Sequence, residues 1–503
     1  MLELLRVFPL IVILSLAASV AMILPALHAL WLGDWVVMRS FVFAGTVCFA
    51  LSAMVGLARL NRPVRQTPAR QVVSLVSAYV ALPFVLAMPV ALVVPPITFA
   101  QAYFEMASSL TTTGATIFEN PAAIPEPIHL WRALTAWLGG FLILVAGVAI
   151  LEPLQLGGFE IQYAVTRVGG EQRRSLGGAA LGHERLAYYA SKTMPIYLAL
   201  TLLLALILTI LGDRTFVALI HAMSVMSTSG ITPLKEFADA SSGHTGEAVI
   251  FAFLLIAITR RANILSFHGE MGRLERDPEL RLALAVVFAI TGLLFLRHFL
   301  GAYEVRDQSN LVAAVTALWG SLFNVLSFLS TTGFNSQDWA SAQDWSGLDT
   351  PGLILLVLCL LGGGIATTTG GVKLLRVYAL YKHGVREMQR LIHPNSVGGA
   401  GVTARRIRRE GAQVAWVFLM LFLLGLSAVM LALTALGKDF EEAMALSIAM
   451  LTNTGPAHNL LDPDLSLAAQ DFQTSVVLCI AMIFGRLEVL VLVSALNPGY
   501  WRE

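Results

Sequence analysis

Four times along the chain, two hydroxyl or amide residues followed by glycine fall between apolar stretches: Thr112-Thr113-Gly114, Thr228-Ser229-Gly230, Thr331-Thr332-Gly333 and Asn453-Thr454-Gly455. The glycines are spaced by 116, 103 and 122 residues (114 to 230, 230 to 333, 333 to 455). A repeat at this scale marks one supersecondary unit used four times. The setting excludes a soluble domain. Of the 503 residues, 57% are hydrophobic and 13% charged, with mean hydropathy +0.74, against about 25% charged in soluble domains. Spanning elements in such a chain are expected to be helices, because lipid offers no partner to a bare backbone.

About 20 apolar residues cross a bilayer, and ten spans are expected at 5–31, 36–58, 71–95, 129–153, 186–211, 246–267, 280–300, 352–380, 412–436 and 473–495. The first is read as a helix rather than a signal peptide, since its apolar character continues to about Trp31 and a second span follows at once. Spans three to ten form four pairs. Between the members of each pair lies a semi-apolar segment (98–110, 214–227, 311–329 and 439–451), expected to be a half-crossing helix too short to span. The glycine motif follows it, then a polar loop. Cys48, Cys359 and Cys479 lie singly in apolar runs and read as buried hydrophobes, without disulfide or metal spacing.

Basic residues collect on one side of this arrangement: Arg59, Arg62, Arg65 and Arg70; Arg167, Arg173, Arg174 and Arg185; Arg260, Arg261, Arg273 and Arg276; and Lys382, Arg386, Arg390 with Arg405, Arg406, Arg408 and Arg409. That side is expected to be cytoplasmic. The motif-bearing connections carry Glu119, Glu126, Asp239, Asp338, Asp344, Asp349, Asp462 and Asp464 and are expected to open outward. Non-helical backbone at membrane depth is tolerated only inside protein or along a water-filled cavity. Four such segments can meet on one axis, where a ring of carbonyls replaces the hydration shell of a cation. The glycines permit the required backbone angles, the hydroxyls accept or brace, and the negative ends of the half-helices favour a cation. No carboxylate sits in the motifs, which suits a monovalent ion that must leave again. Ordinary turns at helix ends explain one such motif but not four at matching positions.

The segments SSLTTTGATIFEN (108–120), WLGG (137–140), LEPLQLGG (151–158), FLSTTGFN (328–335), GGGIATTTGGVKLLRV (362–377), TNTGP (452–456) and FGRLEVL (484–490) together resemble the Trk/Ktr/HKT superfamily of potassium transporters, its bacterial TrkH members above all. The resemblance runs over nearly the whole chain, including the two N-terminal helices. It implies a four-repeat pore filtered by Thr112, Thr113, Gly114, Thr228, Ser229, Gly230, Thr331, Thr332, Gly333, Asn453, Thr454 and Gly455. It further implies K+ as the transported ion with no other cofactor, a homodimer, and a cytosolic nucleotide-binding regulator resembling TrkA. The chain departs from the family pattern at STSGITP in the second repeat, at Asn453-Thr454-Gly455-Pro456 in the fourth, and at Thr259–Asn263.

The eighth span is interrupted by Gly362-Gly363-Gly364-Ile365-Ala366-Thr367-Thr368-Thr369-Gly370-Gly371, with Lys373 and Arg376 beyond. A Gly/Thr run inside a hydrophobic span marks unwound backbone near a pathway, and a gating loop beneath the filter is the expectation. A packed kink is the alternative. A phosphate-binding loop is disfavoured, since the Gly-Lys-Ser/Thr ending is missing. Arg486, expected mid-way in the last span, is an intramembrane charge that marks a pathway or forms an ion pair. Glu488 is a poor partner for it, since positions two apart do not face each other on a helix. Lys373 is either pore-adjacent or snorkelling to the interface. Glu105 is either a brace of the first motif or a surface residue, and His221 and His458 read as loop or packing residues. The basic run 405–409 is a positive-inside anchor or a docking site for a regulator or anionic lipid.

The fold class expected is an all-α membrane protein with four pseudo-symmetric helix–pore-loop–helix repeats around one pore, plus two N-terminal transmembrane helices. The units are 1–62 (the helix pair), 63–184, 185–278, 279–410 with the loop 362–371, and 411–503. The expected function is potassium uptake across the inner membrane, without catalytic residues and without a nucleic-acid partner, in contact with membrane lipid. The membrane subunit of a Kdp-type ATP-driven pump and an ion-coupled symporter are the alternatives.

Overall fold

The computed structural model describes residues 8–59, 68–94, 96–151, 182–258, 278–300, 311–348, 350–365, 367–393 and 412–488. Among these the chain is helical, with no strand. The first span is α1 (Leu10–Ala21) and α2 (Ile23–Trp31), broken at Met22. A turn at Gly33 (φ +77°) leads into α3 (Trp35–Arg59), whose start is capped by Asp34 Oδ1 accepting from Val37 N at 3.1 Å.

Four similar units follow. The first is α4 (Pro68–Val93), the short α5 (Phe99–Leu110) and α6 (Glu126–Ala146), which runs into a π-helical turn at Gly147–Leu151. The second is α7 (Gly182–Ile210), the short α8 (Thr215–Ser227) and α9 (Gly243–Ile258). The third is α10 (Pro278–Leu300), α11 (Leu311–Leu329), α12 (Trp339–Ser346), α13 (Gly352–Leu361) and, past the interruption, α14 (Leu374–Ile392). The fourth is α15 (Ala412–Ala435), the short α16 (Phe440–Leu451) and α17 (Phe472–Leu487).

Two expectations about length need correction. The helices α5, α8 and α16 have 12, 13 and 12 residues, roughly 18–20 Å at 1.5 Å per residue, well short of a hydrocarbon core of about 30 Å. By contrast α11 has 19 and is long and apolar enough to cross. Its extra turns carry exposed Val312 and Val315, so the third unit begins its short element on the apolar perimeter. Conversely, of the ten expected spans, seven appear as long apolar helices, with α11 making eight. The sixth, eighth and tenth are 16, 10 and 16 residues in α9, α13 and α17. Residues 259–277 and 489–503, where the sixth and tenth were to continue, lie outside the described residues, and the eighth is interrupted. Arg486 sits in the last turn of α17.

Burial sorts the helices into layers. The window along α6 is 83% buried, and that along α15 only 17%, so α6 lies at the centre and α15 on the rim. Lipid gives no hydrophobic drive to pair helices, so close approach depends on small residues. In α6, a Cβ on Gly139 would fall 2.0 Å from the carbonyl oxygen of Leu110, and one on Gly140 would sit 3.0 Å from the Ser227 side chain. The Gly139–Gly140 pair thus lets the ends of α5 and α8 seat on one central helix. One apolar core joins α5 and its loop to the second to fourth units, while another joins the N-terminal helices to α4–α7 and the end of α17.

Candidate functional site: four loops in a ring and the segment beneath

Each short helix ends the same way. The residue two before the motif glycine (Thr112, Thr228, Thr331 or Asn453) is left-handed, with φ between +51° and +58°. Its own N–H donates to the carbonyl three residues back, at 2.9, 3.1, 3.1 and 3.2 Å. The next N–H reaches back five residues, as in Thr113 to Ser108 (2.8 Å), Ser229 to Ser224 (2.9 Å), Thr332 to Ser327 (3.0 Å) and Thr454 to Ala449 (2.8 Å). This is a Schellman ending, normally built on glycine. Here Thr or Asn occupies the left-handed position at a cost of roughly 1–2 kcal/mol per residue. A hydroxyl pair recurs as well: Thr111 with Thr113 at 2.8 Å, Ser227 with Ser229 at 3.1 Å, Ser330 with Thr332 at 3.0 Å and Thr452 with Thr454 at 3.1 Å. The first member of each pair was not singled out in the sequence. The two-residue spacing of hydroxyls was the available signal.

The four loops close on each other. A Cβ on Gly114 would lie 1.7 Å from Ser229 O, and one on Gly230 would lie 2.2 Å from Thr332 O. Gly333 packs against Pro456, at 3.0 Å from such a Cβ, and Gly455 against Ala115 N at 2.0 Å. Loop one thus meets loop two, two meets three, three meets four, and four returns to one. The last contact is a hydrogen bond, Gly455 N to Thr113 O at 2.6 Å, joined by Asn453 Nδ2 to Thr113 Oγ1 at 2.9 Å. Gly114, Gly230 and Gly333 have φ of +75°, +67° and +78°, so these three need glycine for conformation as well as for space. All twelve sequence-predicted motif residues are in this ring, and all are buried.

Behind the ring stand buried polar groups. Glu105, fully buried in α5, accepts from Ile117 N (3.0 Å) and Thr116 Oγ1 (3.1 Å) and pairs with Arg132 Nε of α6 at 2.5 Å. It is a brace of the first loop and not a surface residue. His221 Nε2 shares a hydrogen bond with Thr232 Oγ1 at 2.9 Å, and its ring packs on Phe237 and Phe334. His458 Nδ1 lies 2.8 Å from Gly455 O. Sequence reading missed Glu247 in α9, whose carboxylate accepts from Trp319 Nε1, Ser336 Oγ and Gln337 N, each at 2.8 Å. A carboxylate near the start of an apolar helix was its only signal.

The Gly/Thr segment lies directly below. Gly370 N donates to Thr331 Oγ1 at 2.8 Å, and a Cβ on Gly370 would meet Thr452 O at 1.7 Å. Thr228 Oγ1 donates to Thr368 Oγ1 at 3.1 Å. Within the segment, Thr367 Oγ1 donates to Gly364 O at 2.7 Å and meets Thr369 Oγ1 at 2.6 Å. Gly362 and Gly371 are left-handed at its two ends, and Gly363 packs on Thr369. Ile365 N donates to Glu279 Oε1 of α10 at 3.1 Å. The segment therefore touches loops two, three and four at once.

Two buried cations hold it, and a third lies beside them. Arg486 Nη1 donates to Thr368 O at 2.5 Å, and Lys373 Nζ donates to Thr369 O. Lys373 is 6% exposed and bonded to the segment, so it does not snorkel to the interface. Arg376 is fully buried, lies 3.4 Å over the Phe418 ring, and pairs with Glu488 Oε2 at 2.7 Å. Glu488 is thus an ion-pair partner of Arg376 across the helices, not of its neighbour Arg486. Lys373, Gly485, Arg486 and Glu488 line one cavity beneath the ring with Thr367, Thr369 and Gly370. The basic run 405–409 and Thr259–Asn263 lie outside the described residues.

Long apolar helices and four loops meeting head to head in the protein interior define a multi-pass membrane protein. The model of the TrkH family, described as cation transport protein, matches residues 37–237 and 243–497. The chain is 32% identical over 431 residues to the "Trk system potassium uptake protein TrkH" of Salmonella typhimurium, covering 84% of this chain and 83% of that one. It is 26% identical over 475 residues to the "Trk system potassium uptake protein TrkI" of Halomonas elongata, covering 92% and 90%. The crystal structure of the potassium transporter TrkH from Vibrio parahaemolyticus superimposes with a TM-score of 0.81 at 26% identity, over 99% of both chains. The chain belongs to the TrkH family. It is a transport protein of the inner membrane and not an enzyme.

Proposed function

We propose that this chain takes up potassium through the ring of four loops, with residues 362–371 as the gate. The observation that carries this reading is the closed ring itself: four loops of one geometry, each packed on the next, at the C-terminal ends of helices. Ring carbonyls and the hydroxyls of Thr112, Thr113, Thr228, Ser229, Thr331, Thr332 and Thr454 replace the water shell of K+. The partly negative helix ends favour any cation, so selectivity is a property of the ring's dimensions. Below it, Gly362, Gly363, Gly364, Thr367, Thr368, Thr369, Gly370 and Gly371 obstruct the path, and Lys373 and Arg486 hold them there. Opening breaks the bonds from Thr228, Thr331 and Arg486. In this reading a cytosolic nucleotide-binding subunit resembling TrkA drives that step, and the chain works as a homodimer. The names of its relatives, which speak of potassium uptake, support this.

The test is cation flux into proteoliposomes holding this protein alone, comparing potassium, rubidium and sodium under an imposed voltage without a pH gradient. Passive flux favouring potassium and rubidium is the expected result. Flux that requires a pH gradient supports ion-coupled symport instead, and no flux with or without the regulator overturns the reading.

A further inference from the structure

Nine residues before the motif glycine, each short helix carries a different side chain: Glu105, His221, Asn324 and Leu446. All four are buried. The first three do one job. Each bonds the outgoing limb of its own loop, two or three residues past the glycine. Glu105 holds Thr116 Oγ1 and Ile117 N, and His221 holds Thr232 Oγ1. Asn324 Oδ1 accepts from Ser336 N at 2.8 Å, while its Nδ2 donates to Asn335 Oδ1 at 3.1 Å. Leu446 has no polar atom and braces nothing. Beyond its Schellman bonds and the local contact of His458 Nδ1 with Gly455 O, the fourth loop is tied to the first, through Gly455 N to Thr113 O and Asn453 Nδ2 to Thr113 Oγ1, and to Met482 O through Asn453 Nδ2 at 2.9 Å.

We infer that this position is a built-in set of positioning residues for ion selectivity, and that Glu105 dominates it because it braces loop one, to which the fourth loop is in turn bonded at Thr113. The inference rests on the reading of the ring as a potassium filter. The physical argument is stiffness. A ring that tells K+ from a smaller ion must resist shrinking around the smaller one. Buried hydrogen bonds to the outgoing limbs resist, whereas an apolar side chain does not. The brace behind loop one is also the strongest. It is charged, it accepts two bonds, and it is locked by Arg132, whose guanidinium sits 5.3 Å over the Phe118 ring of the same loop.

The test is the potassium-to-sodium flux ratio in proteoliposomes for Glu105→Leu, which places in loop one the residue loop four carries. Glu105→Gln, Asn324→Leu and the near-isosteric Thr116→Val and Thr232→Val accompany it. Loss of a buried bond is worth about tenfold in an equilibrium. The expected result is a ratio reduced about tenfold in Glu105→Leu, partly recovered in Glu105→Gln, and reduced about two- to threefold in Asn324→Leu and the two valine variants. A role in folding alone lowers protein yield and total flux but leaves the ratio where it was. A ratio unchanged in Glu105→Leu overturns the inference. Should that variant fail to accumulate, an unchanged ratio in Thr116→Val and Asn324→Leu overturns it equally. Wild-type protein that passes neither potassium nor rubidium overturns the transport reading, and the brace falls with it.

Discussion

The ring and the segment beneath it are both irregular backbone buried at membrane depth, yet they are held in opposite ways. Each loop of the ring is fixed first by its own repeat, and the fourth is tied to the first as well. The Schellman bonds, the hydroxyl pair and, in three cases, the brace nine residues back all come from the helix just before it. The 362–371 segment has bonds of its own among Gly364, Thr367 and Thr369 and is tied besides to loops two and three, α10 and α17. A structure that carries its own support stays in place while its neighbours move. One supported by four separate elements is released when any of them shifts. That difference is what the proposed roles, a fixed filter above a movable gate, require.

Changes that break the ring should have the largest effect. Gly114→Ala puts a methyl 1.7 Å from Ser229 O at a left-handed residue, and neither backbone can move without opening the ring. Rubidium uptake by cells lacking other potassium transport is expected to fall below detection, with protein still present in the membrane. Next is the Arg376–Glu488 pair. Removing one partner of a buried ion pair costs about 3–5 kcal/mol. Arg376→Leu and Glu488→Gln are each expected to lower the thermal midpoint in detergent, with the double variant less destabilised than the sum. Strict additivity would show that the two do not act together.

The segment itself should respond in the other direction. Shortening 362–371 is expected to raise flux without the regulator, because the obstruction is removed while the ring stands. Arg486→Gln is expected to do the same to a smaller degree. It takes away one bond to Thr368 and a positive charge beneath the ring, while Lys373 still holds Thr369. Unchanged flux in the shortened protein would mean that the segment is a packed kink and the comparison with the ring is wrong. The smallest effect belongs to a control on the surface. His244 and Asp338 pair at 2.7 Å, the histidine 59% and the aspartate 13% exposed, and a pair open to solvent at one partner is worth roughly 0–1 kcal/mol. Asp338→Asn is expected to leave both flux and thermal midpoint nearly unchanged.

Much of this was legible in the residues because it rests on local rules. A span of apolar residues, a break at a Gly/Thr run and a hydroxyl-hydroxyl-glycine repeat are each properties of a few consecutive positions. Where length alone had to decide, the reading slipped. The apolar run at 311–329 was taken as a half-crossing helix like the other three, and α11 is long enough to span. The fate of single polar residues was open for the same reason. Glu105 and Lys373 each had two plausible places in the chain's one-dimensional order, one buried and one not, and Arg486 had two roles, a pathway charge or an ion pair.

The sequence by itself determined the class of fold, the fourfold repeat, the position of every motif and the presence of an unwound stretch, since hydropathy and backbone preference act along the chain. Only the tertiary structure decided which loop touches which, that Glu488 pairs with Arg376, that Arg486 and Lys373 both grip the segment below the ring, and that the fourth loop leans on the first. These contacts join residues as much as 340 positions apart. Their partners are chosen by how helices pack, and helix packing in lipid is set by shape and small residues spread over several helices, not by any pattern within one of them.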